Sequence, residues 1–206
     1  MRKIGIMGGT FNPIHNGHIM LGVRAKEEFM LDEVWFMPSG ISYLKEGTFV
    51  LDAGSRIRLT KAAVDSIEAD GYFVNTMEAD RPGKTYTCDT LLQLRKQFPE
   101  DSFYLIYGSD CLFSIEKWVK PHILFEHAIL LFAVRGEEDV AAVENKIAYL
   151  AKTYGAKAHL LPVQATDVSS SGIRAALKNG ESIHGLVPDA VEEMLLRERY
   201  YSNESK

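Results

Sequence analysis

The chain has 206 residues, of which 46% are hydrophobic and 25% are charged, and its formal net charge is −5. This size and composition are those of one ordinary globular domain, and the longest apolar runs are too short to cross a bilayer, which excludes a membrane protein. An acidic total without a basic cluster also argues against a nucleic-acid surface, although one local phosphate pocket stays compatible with it.

The two cysteines and the first residues of the chain indicate the cellular compartment of the protein. Cys88 and Cys111 cannot build a disulfide framework and lack the paired spacing of a zinc site, so reduced thiols are expected. The first residues enter a strand-like run at once, without the apolar segment and cleavage site of a secreted protein. These features predict a cytoplasmic protein. They do not determine its oligomeric state, and a homo-oligomer stays open.

Strand-like and helix-like segments alternate along most of the chain. Apolar residues recur at helical spacing at Leu21, Ala25 and Phe29, and again from Val140 to Leu150. Such alternation predicts right-handed crossovers and therefore a doubly wound α/β domain with a parallel sheet. The six predicted strands are Lys3–Met7, Glu33–Met37, Tyr72–Asn75, Phe103–Tyr107, Ala128–Val134 and Ala158–Leu161.

After Gln164 the pattern changes to helices alone. One helix is predicted over Ser171–Lys178, where the following Asn-Gly pair supplies a stop signal, and another over Pro188–Arg199, which opens on a proline. We therefore expect a single domain over residues 1–206. Its predicted parts are an α/β sheet core (1–164), a small C-terminal helical part (165–200) and a polar tail (201–206).

The segment Gly8–His18, between the first strand and the first helix, carries the strongest functional signal. In open α/β sheets, ligands collect beyond the carboxyl ends of the strands, where helix N-termini direct N–H groups toward an anion. Because Gly8 and Gly9 lack a Cβ, the backbone can turn sharply and approach phosphate oxygens closely. The chain has neither G-x-G-x-x-G here nor G-x-x-x-x-G-K-[ST] anywhere, which removes the main support for hydride transfer and P-loop hydrolysis.

Two histidines flank Gly17 within this segment. His15 and His18 are three residues apart, a spacing that can bring both imidazoles to one side of a helix start, where they could share a phosphate. Either histidine alone is equally compatible with a helix cap or a packed loop residue. Together with the glycine turn and the helix terminus, the pair favours an anion site.

At this point the chain resembles a known family. The H-x-G-H motif at residues 15–18 and the late segment Val168–Arg174 are similar to the paired motifs of the nucleotidylyltransferase superfamily. Within it, the chain most resembles the bacterial nicotinate mononucleotide adenylyltransferases. The resemblance, which runs from the first strand to about Arg199, implies a Rossmann-like nucleotidylyltransferase fold. Further similar segments are Arg81–Leu91, the turn Gly108-Ser109-Asp110, and Trp118.

The residues that would bind ATP come from three segments. Considered without the resemblance, Ser169, Ser170 and Ser171 could either cap a helix or bind an oxyanion. Arg174 lies about one helical turn further on, which favours binding of an oxyanion. Asp110 either stabilises a turn or accepts hydrogen bonds from a ribose. The resemblance implies phosphate and ribose binding, with His15, His18 and Arg174 catalytic. The implied ATP-binding set is Gly8, Gly9, Thr10, Phe11, His15, His18, Gly108, Asp110, Ser169, Ser170, Ser171, Ile173 and Arg174.

The acceptor would be bound by a second set. Trp118 could be a core residue, and Thr85 with Tyr86 only a helix start, but the resemblance implies an indole stacked on a pyridine ring and donors to a nicotinate carboxylate. The family usually carries Pro-Pro-His-Lys after the second strand, whereas residues 37–45 read Met-Pro-Ser-Gly-Ile-Ser-Tyr-Leu-Lys. Only Lys45 is kept, to neutralise the acceptor phosphate. The altered residues Ser42–Lys45 leave the acceptor open.

The implied reaction moves AMP from ATP to nicotinate mononucleotide, giving nicotinate adenine dinucleotide and pyrophosphate, in NAD biosynthesis. Magnesium would arrive with ATP and be held mostly by phosphates and water, because the motifs contain no carboxylate cluster. One alternative is the same chemistry on nicotinamide mononucleotide or phosphopantetheine. The other is a non-catalytic ATP-binding sensor, against which the intact His15, His18 and Arg174 argue.

Overall fold

A computed structural model describes residues 1–42, 49–135, 140–165 and 168–202. Its strands are β1 (Lys3–Gly9), β2 (Glu33–Pro38), β3 (Ile41–Ser42), β4 (Tyr72–Val74), β5 (Lys84–Thr85), β6 (Ser102–Gly108), β7 (Ala128–Arg135) and β8 (Lys157–Ala165). Its helices are α1 (Asn16–Phe29), α2 (Ala53–Asp65), α3 (Thr87–Gln97), α4 (Ser109–Ser114), α5 (Pro121–His127), α6 (Val140–Tyr154), α7 (Ser170–Asn179) and α8 (Asp189–Arg197).

Six strands form one parallel sheet in the order β4-β2-β1-β6-β7-β8. Numbered among themselves along the chain, they follow the order 3-2-1-4-5-6 of a doubly wound domain, which confirms the predicted fold class. The winding reverses between β1 and β6. The carboxyl ends of these two strands, at Gly9 and Gly108, therefore open on one crevice.

Successive strand residues face opposite sides of the sheet, and each side carries its own hydrophobic cluster. Ile106 of β6 is buried in the cluster that includes residues of α1 and α2, whereas its neighbour Leu105 is buried in the cluster that includes residues of α3. Burial on both faces explains why the strands read as continuous apolar runs rather than alternating ones. Each fully buried leucine or isoleucine contributes about 1.5 to 3 kcal/mol.

All six predicted strands are present in the sheet, although β8 is longer than predicted. No periodicity in the sequence predicts β3 and β5, because a strand of two residues has no period. These two short strands pair in parallel with each other, Ile41 with Lys84 and Ser42 with Thr85. They bring the chain after β2 next to the chain before α3.

The C-terminal helices pack on the core instead of standing apart from it. Ile173 of α7 and Val191 of α8 are buried in the same cluster as Leu21 of α1. The backbone N–H of Asn16 donates a hydrogen bond to the carbonyl of Leu186 at 3.0 Å, which ties the start of α1 to this region. Within the described parts of the chain, no helix is long and apolar enough to span a membrane.

Candidate active site

Two adjoining cavities lie at the carboxyl ends of β1 and β6, and Gly8, Tyr107 and Cys111 line both. We call the one that contains His15 and His18 the histidine cavity; its volume is about 350 Å³. The one that contains Trp118 is the tryptophan cavity, with a volume of about 240 Å³. Predicted site residues in the histidine cavity are Gly8, His15, His18, Gly108, Asp110, Ser169, Ser170, Ser171 and Arg174, and those in the tryptophan cavity are Gly8, Gly9, Thr10, Thr85 and Trp118.

His15 and His18 sit together at the start of α1. His15 is the N-cap residue, and its backbone N–H donates to Nδ1 of His18 at 3.3 Å. The two ring centroids are 3.7 Å apart, and the rings are inclined by 30°. Because Nδ1 of His18 accepts this hydrogen bond, the neutral ring carries its proton on Nε2. Nε2 is therefore the atom with which His18 can donate to an anion.

The two glycines at the end of β1 are required for different reasons. A Cβ at Gly9 would lie 2.8 Å from the ring of Phe11, which is 2% exposed and has a φ of 47°. At Gly8 a Cβ would meet no atom within 4 Å. Packing within the protein therefore needs glycine at residue 9. Residue 8 lines both cavities, where a side chain would occupy space that a ligand can use.

The serines at residues 169–171 belong to a segment that is hydrogen-bonded to the loop between β1 and α1 (residues 10–15), which we call the histidine loop. The two segments lie far apart in the sequence. Ser169 is the N-cap residue of α7, and its Oγ accepts a hydrogen bond from the N–H of Gly172 at 3.1 Å. Ser170 Oγ donates to the carbonyl of Pro13 at 2.9 Å. Ile173 is 1% exposed in the core, so only its backbone could reach a ligand. Capping and proximity to the histidines thus occur together in one segment.

Arg174 lines the histidine cavity together with the two imidazoles. Its Nη1 donates to the carbonyl of Asn12 at 2.8 Å. A guanidinium has five N–H donors, so this single bond leaves others for phosphate oxygens. The arrangement surrounds one cleft with a cation, two imidazoles and the N-termini of two helices, which is an environment that favours an anion.

A second arginine, Arg56 of α2, supports the same loop, and no sequence motif indicated it. It is 2% exposed, and it donates to the carbonyls of Thr10 at 2.8 Å and Leu51 at 3.1 Å. Burial lowers the pKa of this guanidinium. The carbonyls of the histidine loop thus receive hydrogen bonds from arginines on two different helices, which fixes the loop without a regular backbone ladder.

Asp110 lies in the first turn of α4 and is exposed toward the histidine cavity. A carboxylate there stabilises the helix N-terminus electrostatically. It also lies beyond the carboxyl end of β6, where a ribose would bind. Gly108 is the N-cap residue of this helix, and Ser109 between them is fully buried. The position is therefore compatible with both roles considered for Asp110.

The tryptophan cavity is bounded by one aromatic pair and by the start of α3. Trp118 is half-buried and meets Tyr107 edge to face, with ring centroids 5.4 Å apart. Thr85 is buried and lines the cavity. Tyr86 is the N-cap residue of α3 and packs against the neighbouring hydrophobic cluster instead of lining the cavity. Lys45 and the rest of residues 43–48 lie outside the described residues.

Ser39 and Glu78 line the tryptophan cavity, but the sequence did not predict either as a site residue, because neither belongs to a recognised motif. Ser39 is buried, and among the described residues its Oγ has no hydrogen-bond partner. Glu78 accepts a hydrogen bond from Thr90 Oγ1 at 2.7 Å. Burial raises the pKa of Glu78, although the hydrogen bond from Thr90 and the charge of Arg81 oppose the shift.

Replacing Glu78 with glutamine is expected to flatten the pH dependence of stability. The pKa of Glu78 is raised in the folded state. The contribution of Glu78 to the free energy of unfolding is therefore fully present below the ordinary carboxyl pKa, and it is lost as pH rises through the raised pKa. Glutamine cannot ionise, so Glu78→Gln should gain stability relative to the parent chain across that window. Urea unfolding from about pH 4 to pH 8 measures this, with the exposed Glu68→Gln as control. Parallel profiles for the parent chain and Glu78→Gln would contradict it.

The described residues offer no carboxylate cage for a metal in either cavity. The one group of three metal-ligating side chains among them is His184, Asp189 and Glu192, near the start of α8, and none of these lines a cavity. Cys88 and Cys111, both within the described residues, form no disulfide bond. Cys111 lies where the two cavities meet.

A doubly wound sheet in which the H-x-G-H loop is hydrogen-bonded to Ser170 and Arg174 of α7 defines a nucleotidyltransferase. Residues 6–176 match the model of the cytidylyltransferase-like family. A probable nicotinate-nucleotide adenylyltransferase from Lachnoclostridium phytofermentans is 40% identical over 98% of this chain and 100% of its own length. One from Clostridium beijerinckii is 33% identical, again over 98% and 100%. The chain therefore belongs to the cytidylyltransferase-like family, and within it to the nicotinate-nucleotide adenylyltransferases.

A solved structure has the same fold. Plasmodium falciparum nicotinic acid mononucleotide adenylyltransferase, complexed with NaAD, gives a TM-score of 0.79 and covers 98% of both chains. Its sequence identity to this chain is 18%, so the likeness concerns the arrangement of the backbone.

Proposed function

We propose that this enzyme transfers AMP from ATP to nicotinate mononucleotide and releases nicotinate adenine dinucleotide and pyrophosphate, as a step of NAD biosynthesis. The observation that carries the proposal is the meeting of two unlike cavities at Gly8. One is lined by two imidazoles and a guanidinium and suits a triphosphate. The other is lined by an indole and buried hydroxyls and suits a pyridine nucleotide. Substrates bound in both would meet at the shared wall.

The acceptor's phosphate oxygen would attack the α-phosphorus of ATP in line, and pyrophosphate would leave. The new bond is P–O, the broken bond is the one between the α-phosphorus and the bridging oxygen, and no covalent enzyme intermediate is required. Transfers of this kind are catalysed mainly by positioning and by neutralising charge on the phosphate oxygens. The histidine cavity supplies both, since its groups are held by hydrogen bonds to the surrounding loop.

In this mechanism, each protein group would act on a different part of the bound ATP. His18, with its proton on Nε2, would donate to the α-phosphate as negative charge develops there. His15 and the backbone of Gly8 would hold the triphosphate, because both line the histidine cavity, whereas Gly9 and Thr10 line only the tryptophan cavity and Phe11 lines neither. Ser170, Ser171 and Arg174 would neutralise the departing pyrophosphate, and Asp110 would accept a hydrogen bond from a ribose. Gly108, Ser169 and Ile173 would contribute through their backbone or as helix caps.

The acceptor would be held mainly by shape and stacking. Trp118 would stack on the pyridine ring. Thr85 would direct a donor at the nicotinate carboxylate, and the buried hydroxyl of Ser39 is a further donor on the same wall. Tyr86, which does not line this cavity, would act only as the N-cap residue that positions the start of α3. Lys45 would neutralise the acceptor phosphate.

Magnesium would enter as part of the ATP complex and be held by phosphates and water, because the described wall of the histidine cavity contains a single carboxylate, that of Asp110. We also propose a cytoplasmic, single-domain enzyme whose partners are these small molecules, with neither nucleic acid nor membrane among them.

A panel of acceptors tests the proposal. The protein is incubated with ATP, magnesium and one of nicotinate mononucleotide, nicotinamide mononucleotide or phosphopantetheine, and pyrophosphate release is measured. We expect the highest kcat/KM with nicotinate mononucleotide. A higher value with another acceptor would overturn the assignment of the acceptor but not of the chemistry. ATP binding without pyrophosphate release from any acceptor would instead support a nucleotide sensor.

A further inference from the structure

A tyrosine from the end of the described chain is buried against the histidine loop. Tyr201 follows α8, is 8% exposed, and donates from its hydroxyl to Oδ1 of Asn12 at 2.5 Å. The two residues are 189 positions apart in sequence. The ring of Tyr201 also meets Phe49 edge to face, with centroids 6.1 Å apart. Tyr201 lines neither cavity, so it would not touch a ligand itself.

Asn12 is the point at which supports of the loop converge. Its Oδ1 accepts from Tyr201 and also from the backbone N–H of Leu51 at 3.1 Å, and its Nδ2 donates to the carbonyl of Phe49 at 2.8 Å. Its own carbonyl accepts from Arg174 Nη1 at 2.8 Å. The side chain of Asn12 thus fixes the peptide whose oxygen holds the guanidinium of the histidine cavity.

The surroundings keep the tyrosine hydroxyl a donor. Burial raises the pKa of Tyr201, and the positive charges of Arg174 and Arg56 oppose that shift without reversing it. The hydroxyl therefore stays protonated at neutral pH. The charges of Arg174 and Arg56, the two arginines that hydrogen-bond to the histidine loop, therefore both act on the hydroxyl of Tyr201.

We propose that Tyr201 is a positioning residue for catalysis: by holding Asn12 it fixes the loop carbonyl that orients Arg174 toward the triphosphate. This inference rests on the proposed function, since it assigns Arg174 to the departing pyrophosphate. The Arg174 guanidinium stabilises the transition state only if it is correctly oriented when negative charge develops on the departing pyrophosphate. Loosening its orientation should therefore lower kcat/KM for ATP.

The test uses two adjacent tyrosines as a matched pair. Tyr201→Phe keeps the buried ring and removes the hydroxyl. We expect kcat/KM for ATP to fall about fivefold to tenfold, the scale for leaving a buried acceptor short of a donor, while KM for nicotinate mononucleotide stays within about twofold. Tyr200→Phe is the control, because its hydroxyl bonds to Ser55 and Arg58 instead of the loop, and it should leave both constants unchanged. Equal loss in both variants, or loss on both substrates, would indicate a merely structural role and overturn the proposal.

A double-mutant cycle tests the route of the effect. If Tyr201 acts through Arg174, then Tyr201→Phe should have little further effect on kcat/KM for ATP in an Arg174→Ala background. Additive losses would overturn that route. Unfolding midpoints of all variants are measured, and the assays are run well below the lowest of them.

Inorganic pyrophosphate supplies a readout that needs no acceptor. Its affinity should fall about fivefold in Tyr201→Phe and stay unchanged in Tyr200→Phe. If the parent chain turns over no acceptor but this pattern is seen, the proposed function fails and the positioning role stands. If the parent chain is active and Tyr201→Phe equals it in both turnover and pyrophosphate affinity, the positioning role alone fails.

Discussion

Replacing His18 with alanine is expected to lower kcat by about two to four orders of magnitude, the scale of losing one preorganised electrostatic group. The hydrogen bond from the N–H of His15 to Nδ1 fixes the His18 ring and directs its proton to Nε2. The ring needs no reorganisation when charge develops on the α-phosphate. KM for ATP should change far less than kcat, because the remaining groups of the histidine cavity still bind the triphosphate.

Steady-state kinetics with ATP and nicotinate mononucleotide measure this effect. His184→Ala is the matched control, because His184 is exposed near the start of α8 and lines neither cavity. That variant should match the parent chain. A kcat for His18→Ala within about tenfold of the parent value would refute the assigned role.

Replacing Trp118 with alanine is expected to raise KM for the acceptor by about fivefold to 150-fold, because stacking of a base on an aromatic ring contributes about 1 to 3 kcal/mol. KM for ATP should stay within about twofold, since Trp118 lines the tryptophan cavity and not the histidine cavity. Tyr107 supports the indole edge to face and remains in the variant, so the neighbouring wall should persist.

The conservative variant Trp118→Phe separates stacking from packing. It keeps an aromatic face and should recover most of the affinity for nicotinate mononucleotide. A similar rise of KM for ATP and for the acceptor in Trp118→Ala would contradict the stacking role. No change in either constant would do so as well.

The late serines illustrate how far local patterns reach. On the sequence alone, capping and phosphate binding are competing interpretations of Ser169–Ser171. The structure places both features in one segment, with Ser169 capping α7 and Ser170 bonded to the histidine loop at Pro13. A cap is a local property and can be predicted from neighbouring residues, whereas the bond to Pro13 spans 157 positions and depends on the fold.

The acceptor side was less predictable than the ATP side. Trp118 and Thr85 are indicated through family motifs, and both line the tryptophan cavity. Glu78 and Ser39 line it too, yet no pattern of residue types marks them, because each is defined by burial and by its position opposite other elements. The roles of all these residues, Lys45 included, stay predictions until the variants are measured.

The sequence by itself determined the fold class, the six strands of the main sheet and the H-x-G-H loop, because hydrophobic periodicity and glycine turns express interactions between residues close along the chain. Tertiary structure alone decided that His18 and Arg174 face one cleft, and that Arg56 and Tyr201 hold the loop between them. Contacts across such separations follow from the strand order and from helix packing on the sheet, and a single sequence carries no periodic signal for either.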